Sequence, residues 1–249
     1  MPNFHIVTDS CAHFADPQWL SRYPVTVVPN KIELGGKTYL EGVDLSAEEA
    51  LHLMATQSTP PMVTSPSTAD FVKAYNKIAR DYDAILSIHA SREMYSSWHN
   101  ARRAAQQLSS DGDIAVIDSQ ALCIGQGMLV QVAAEALPQA EPFETLVRHV
   151  RGAVERIYAV YYVETVGYLL HNKLLEPSHG ILSAMLNVKP FLTVEEGRLM
   201  VIEKVRTRLQ AVERMVEFVT EFDGVQNAVI VQPKLGKPSQ AACYKSAWG

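Results

Sequence analysis

The run from Ala84 to Gln107, AILSIHASREMYSSWHNARRAAQQ, constrains the fold more than any other stretch. Ala84 to His89 is short, apolar and preceded by the polar Arg80–Asp83 turn, which predicts a buried strand. From Ser96 onward, Trp98, Ala101, Ala104, Ala105 and Leu108 fall at helical spacing. Between them lies a turn carrying Ser91, Ser96 and Ser97. A strand, a hydroxyl-rich turn and a helix start bring unpaired N–H groups, a partial positive charge and serine donors into one place. That place fits a carboxylate or a phosphate. It also fits a plain N-cap at Ser96 or Ser97, with Asn100 or Arg103 on the solvated face, and on this stretch alone the cap is the simpler reading.

The same alternation runs through the first half of the chain. His5–Thr8 reads as a first strand, with Asp9 and Ser10 at its C-terminal end, where open α/β sheets place their ligand sites. Asp9 is either a functional acid there or a cap for the next segment. Val25–Leu34 is extended, with Pro29 marking a bend or an edge, and Gly35-Gly36 turns it into a hairpin with KTYLEG. Ser46 opens a helix with Glu49 at capping-box spacing. Pro60-Pro61 halts the chain before a second hydroxyl-rich turn, Thr64-Ser65-Pro66-Ser67. An amphipathic helix follows, with Phe71, Tyr75 and Ile78 on one face. Ile114–Ile117 is a further strand ending in Asp118-Ser119, and Gly125 and Gly127 open an apolar helix whose small residues let its backbone lie close to the sheet. Gly125-Gln126-Gly127 lacks the third glycine and preceding strand of a dinucleotide fingerprint.

Pro138–Pro142 marks a boundary, and the apolar-striped helix from Phe143 to Arg156 follows it. Beyond it the pattern changes. Tyr158–Val163 reads as a strand, Leu186–Val194 and Leu199–Val205 as a hairpin, Thr207–Phe222 as a long amphipathic helix and Asn227–Val231 as a last strand. The expected fold class is α/β: an N-terminal, mainly parallel, helix-flanked sheet over 1–155, and a second, abbreviated α+β domain over 156–249.

A chain of 249 residues with 47% hydrophobic and 20% charged residues has material for a sizeable core. A net charge of -5 without a basic cluster argues against nucleic acid as a partner. No apolar run is long enough for a membrane span, and the N-terminus does not read as a signal peptide. Cys11, Cys123 and Cys243 show no pairing or metal spacing and suit a reducing cytoplasm, the expected location. His171 and His179 are the nearest histidine pair, with no carboxylate spacing to complete a metal site. There is no nucleotide loop and no nucleophile elbow, so neither cofactor nor metal is expected. What recurs is a strand end followed by small hydroxyl residues: Asp9-Ser10, Thr64-Ser65, Ser91 with Ser96-Ser97, and Asp118-Ser119. On one rim these would form a polar patch beside apolar helices, a pocket with a polar mouth.

The segments IVTDSCAHF, VVPNKIELGGKTYLEGVDLS, MVTSPSTADF, LSIHASREMYSSWHNARRAA, IAVIDSQALCIGQG, NVKPFLTVEEGRL and EKVRT, spread in order from Ile6 to Thr207, resemble the DegV family of bacterial fatty-acid-binding proteins. The resemblance implies two domains with a deep apolar tunnel between them. One long-chain fatty acid of the palmitate, stearate or oleate class lies in it, its carboxylate held by Thr and Ser hydroxyls. It also implies a carrier, expected as a monomer, that presents the acid to a separate ATP-dependent fatty acid kinase subunit for acyl-phosphate formation in phospholipid synthesis.

The implied carboxylate contacts are Thr64, Ser65, Ser91, Ser96 and Ser97, with Asp9, Ser10, Val63, Tyr95, Ser119 and Arg206 near the ligand. The chain departs from the family pattern at several places. Val63 and Thr64 stand where the family has Thr and Ser, and Tyr95 stands where it has Ser. The segment His171-Asn172-Lys173-Leu174 replaces a Gly-Gly-Arg-Ile-like stretch, and no histidine-plus-glycine segment aligns near the C-terminus. Two other readings follow from the residues. One is a small phosphotransferase or hydrolase using Asp9, Asp118 and the strand-end serines. The other is a divergent binder of a different apolar acid.

Overall fold

The computed structural model describes residues 3–16, 18–57, 59–108, 113–139, 142–164, 166–175, 189–234 and 237–245. Its centre is a four-stranded parallel sheet in the order β2-β1-β6-β7, built from β1 (Phe4–Asp9), β2 (Val25–Val28), β6 (Ala84–His89) and β7 (Asp113–Asp118). Every residue of β1 and β6 is buried, as expected of strands covered on both faces. Side chains alternate between the two faces. Ile6, Leu86 and Ile88 join one core with α4 (Ile124–Ala136) and α5 (Phe143–Val154). Val7 and Ile85 join another with α2 (Thr68–Ile78) and α3 (Ser97–Gln107). Phe71, Tyr75 and Ile78 are the buried stripe of α2, as their spacing predicts. That helix is fixed at its start by a capping box in which Ser67 accepts from the Asp70 N–H and the Asp70 carboxylate accepts from the Ser67 N–H.

A second, small sheet flanks the first. Pro29 separates β2 from β3 (Lys31–Leu34), and Gly35 and Gly36, with φ of 60° and 76°, turn the chain into β4 (Lys37–Leu40). After α1 (Ala47–Thr56) and Pro60-Pro61, β5 (Met62–Thr64) pairs antiparallel with β3. The hydroxyl pair Thr64-Ser65 therefore does not end a strand of the parallel sheet. The two prolines, which lack N–H donors, deliver a three-residue strand to the free edge of β3 instead.

In the second half, β8 (Val160–Tyr162), β9 (Lys189–Glu195) and β10 (Arg198–Val205) form an antiparallel sheet in the order β10-β9-β8. Short α6 (Gly167–His171) lies between β8 and β9 in the chain, and α7 (Arg208–Thr220) follows β10 with Thr207 as its cap. The strand expected to be the last, β11 (Asn227–Lys234), runs past Val231 and pairs with a further strand, β12 (Lys237–Lys245). Nothing in the sequence pattern predicts β12. The proline at 233 suggests an end, whereas the ladder absorbs it in a register shift between Gln232 and Lys234. No helix among the described residues is long and apolar enough to cross a membrane. His179 lies outside the described residues, as does Leu186, the start of the expected hairpin.

His5 gives this core a pH response. Its ring is 8% exposed, stacks edge-on against Tyr82 at 4.4 Å and shares a 2.9 Å hydrogen bond with Thr26. Burial lowers its pKa from 6.5 to about 4. An unfolded His5 takes up a proton near pH 6.5 while the folded one resists until about 4, so the unfolded chain binds more protons in that window. Stability is full above the window and falls as the pH drops through it, by about 2 kcal/mol at pH 5 from this group. Urea melts from pH 7 to 5 should show that slope, and His5→Gln should flatten it.

Candidate functional site

The C-terminal ends of β1, β6 and β7 form one rim of the parallel sheet, but their polar groups are largely spent on the fold. Asp9 is fully buried: one carboxylate oxygen accepts from the Cys11 N–H at 3.0 Å, the other from His89 Nδ1 at 2.8 Å and from the Ala90 N–H at 3.4 Å. Behind it runs a buried relay. The Tyr75 hydroxyl donates to Ser87 at 2.7 Å, leaving the Ser87 proton for His89 Nε2, also at 2.7 Å. In this pattern His89 Nε2 accepts from Ser87 and its Nδ1–H donates to Asp9. Burial pushes the Tyr75 phenol well above its ordinary pKa, keeping it a donor. This serine–histidine–aspartate array is inside the core, under Phe71, and meets no solvent.

The other rim residues are also engaged. Ser10 donates to Glu41 at 2.6 Å and accepts from the Asn30 N–H at 2.8 Å, tying β1 to the small sheet. Ser119 folds its own turn, bonding both the N–H and the carbonyl of Ala121. Asp118 accepts from the Arg92 and Gln120 N–H groups, and burial raises its carboxyl above the usual range. Ser91 is buried and donates to the Gly197 carbonyl at 2.6 Å. Gly197, with φ of 78°, is the tip of the β9–β10 hairpin, and Arg198 pairs with Glu93 at 2.8 Å beside it. Ser91 is thus a fastening between the two large sheets.

A different set of hydroxyls converges elsewhere. Ser65 Oγ accepts from the Ser96 N–H at 3.1 Å, and Asn100 donates to the Pro66 carbonyl at 2.8 Å, so the strap after β5 sits against the N-terminus of α3. Ser96 and Thr64 are exposed. The Ser96 side chain makes no cap, which leaves the first N–H groups of α3 open to another acceptor. Ser97 is buried, and its hydroxyl has no partner among the described residues. On the strap's other side, Asn172 accepts from the Val63 N–H at 2.8 Å and donates to the carbonyls of Pro61, at 2.9 Å, and Tyr168. The strap joins α3 to α6.

Tyr95, next to Ser96, belongs to an apolar cluster between the rim and the antiparallel sheet, with Leu122, Leu175, Leu192 and Leu199 buried and Met94, Leu169 and Val194 part-buried. Its phenol is pushed up by burial. Of the residues singled out above, Thr64, Ser65, Ser96, Ser97, Val63 and Tyr95 come together. Arg206 does not join them: it follows the far end of β10, nine residues or about 30 Å along the strand from Gly197 at the hairpin tip, where its N–H bonds Gln210. A separate hollow of about 310 Å³ lies along the open edge of β7, bordered by Trp98, Asp118, Arg151 and Glu155. Its charged border does not suit an acyl chain. Among the described residues no group of His, Cys, Asp and Glu side chains could hold a metal ion.

Spacing does not reveal Asn172 or Gly197, since their partners are distant in the chain. Ser87 and His89, two residues apart in an otherwise apolar strand, are a signal that does point to a shared polar face.

The architecture is α/β: a parallel, helix-flanked sheet meets an antiparallel one over an apolar cluster with hydroxyls at its margin. The family model described as "Uncharacterised protein, DegV family" matches residues 3–239. A DegV domain-containing protein of Caldanaerobacter subterraneus subsp. tengcongensis is 30% identical over 88% of this chain and 77% of its own. The solved structure of a fatty-acid-binding DegV family protein from Thermus thermophilus is similar with a TM-score of 0.79 and 28% identity, over 88% of this chain and 77% of that one. That of the fatty-acid-binding DegV family protein from Streptococcus agalactiae is similar with a TM-score of 0.84 and 25% identity, over 93% and 83%. The chain belongs to the DegV family.

Proposed function

We propose that this protein binds one long-chain fatty acid, of the palmitate, stearate or oleate class, between its parallel and antiparallel sheets, and presents the carboxylate to a separate ATP-dependent kinase. In this reading 1–155 and 156–249 are two domains of a monomer, and the acyl chain lies against the Leu122, Leu192 and Leu199 cluster. The observation that carries the reading is the Ser65–Ser96 contact, which sets strap hydroxyls at an uncapped helix start beside that cluster. The named ligands of the similar Thermus and Streptococcus proteins support it.

The physics is coherent. At about 0.8 kcal/mol per buried methylene, a chain of about sixteen carbons contributes roughly 10 kcal/mol. The head group then needs partners, because a buried unpaired carboxylate is costly. Thr64, Ser65, Ser96, Ser97 and the first N–H groups of α3 supply donors without a full countercharge. Catalysis by Asp9 and Asp118 fits less well, since both oxygens of Asp9 already accept hydrogen bonds in the core.

Mass spectrometry of an organic extract of the purified protein should reveal a long-chain fatty acid. A protein that carries none and also ignores added palmitate and oleate would sink the proposal. Thr64→Ala and Ser96→Ala should each weaken palmitate binding by about 1–3 kcal/mol, measured by calorimetry. Unchanged affinity in both would move the head group elsewhere.

A further inference from the structure

Two thiols lie in the same apolar cluster as Leu122, Leu192 and Leu199. Cys11, in the exit turn of β1, is buried, and Cys123, at the start of α4, is part-buried; both are unbridged. Their segments are held together by the backbone. The His13 N–H donates to the Cys123 carbonyl at 3.1 Å, and Gly127, one turn into α4, lies so close to the His13 carbonyl that a side chain has no room there. Both side chains belong to the apolar cluster under the antiparallel sheet.

We propose that Cys11 and Cys123 form a peroxide-responsive dithiol, closing to an intramolecular disulfide when the protein meets hydrogen peroxide or a small organic hydroperoxide. The inference does not rest on the lipid reading. Cys123 is the attacking sulfur. It sits at a helix N-terminus with a φ of 52°, a left-handed conformation costly for a residue with a Cβ. The neighbouring Cys11 thiol, with His13 nearby, lowers its pKa, while Cys123 and burial raise that of Cys11. Cys11 is the resolving thiol.

The step balances. The Cys123 thiolate attacks one peroxide oxygen, the O–O bond breaks, and hydroxide leaves a sulfenic acid behind. The Cys11 sulfur attacks the sulfenic sulfur, the S–S bond forms, and water leaves with the Cys11 proton. Two electrons pass from the thiols to the peroxide; the leaving hydroxide or alkoxide takes up the proton that Cys123 released, so hydrogen peroxide ends as two waters and an organic hydroperoxide as its alcohol and one water.

The test uses the reduced full chain and stoichiometric hydrogen peroxide, followed by alkylation, digestion and peptide mass mapping. The expected product is a Cys11–Cys123 cross-linked peptide, lighter by two hydrogens and restored by dithiothreitol. It should form equally in Cys243→Ala. Cys123→Ser should leave Cys11 fully alkylatable, and Cys11→Ser should stop at a dimedone-trapped sulfenic acid on Cys123. Full alkylation of both cysteines after peroxide, sulfinic or sulfonic products alone, or a bond to Cys243 would each overturn the proposal. Should either serine variant fail to fold by circular dichroism, the map of the unaltered protein decides by itself, with urea-unfolded chain as the control for random pairing.

Discussion

His89→Ala should lower folding stability by roughly 3–5 kcal/mol, the cost of a large buried truncation that also strips a buried carboxylate of its shortest hydrogen-bond donor. The imidazole is fully buried, and its Nδ1–H is the short 2.8 Å donor to the Asp9 carboxylate. Without it that carboxylate keeps the Cys11 N–H and a long contact to the Ala90 N–H. The cavity left under Phe71 adds to the deficit, and Ser87 loses the acceptor that orders the Tyr75 relay. Urea denaturation at neutral pH measures the loss. The double variant Asp9→Asn, His89→Ala should recover part of it, because no charge is then stranded, and strict additivity would show that the two residues do not act as a pair.

Gly127→Ala should also cost about 3 kcal/mol or more, at the upper end of overpacking effects. A Cβ at this position falls 1.8 Å from the His13 carbonyl oxygen and 2.8 Å from its carbon. Both are backbone atoms, so no rotamer change relieves the clash. Either α4 lifts from the sheet or the turn after β1 moves, and that turn carries the Cys11 N–H bonded to Asp9. Gly152→Ala in α5 is the matched control. Nothing lies within 4 Å of its added Cβ, so it should stabilise by about 0.5–1 kcal/mol through helix propensity. Thermal melts of the two variants should therefore shift in opposite directions.

The contrast between these variants also shows where sequence reasoning reaches. Periodicity is local, so β1, β6, the buried stripe of α2 and the Gly35-Gly36 hairpin follow directly from spacing and turn chemistry. Which strand pairs with which is not local. Met62–Thr64 is too short to announce its partner, and β3 claims it rather than the parallel sheet. Turn chemistry singles out Ser65 and Ser96 separately, but only the fold brings them within a hydrogen bond across 31 positions. Asp9 and His89 are 80 positions apart, and Val63 and Asn172 are 109. Rim serines such as Ser91 and Ser119 carry the same sequence signature as ligand donors, because closing a turn and holding an anion call for the same hydroxyl.

The strap from Pro61 to Pro66 is fastened at both ends of its span, to α6 through Asn172 and to α3 through Ser65 and Asn100. It behaves as a tie-rod. Thr64 lies in the middle of the rod, and its side chain is exposed. One short segment thus fixes both the separation of the two layers and the place of the Thr64 hydroxyl.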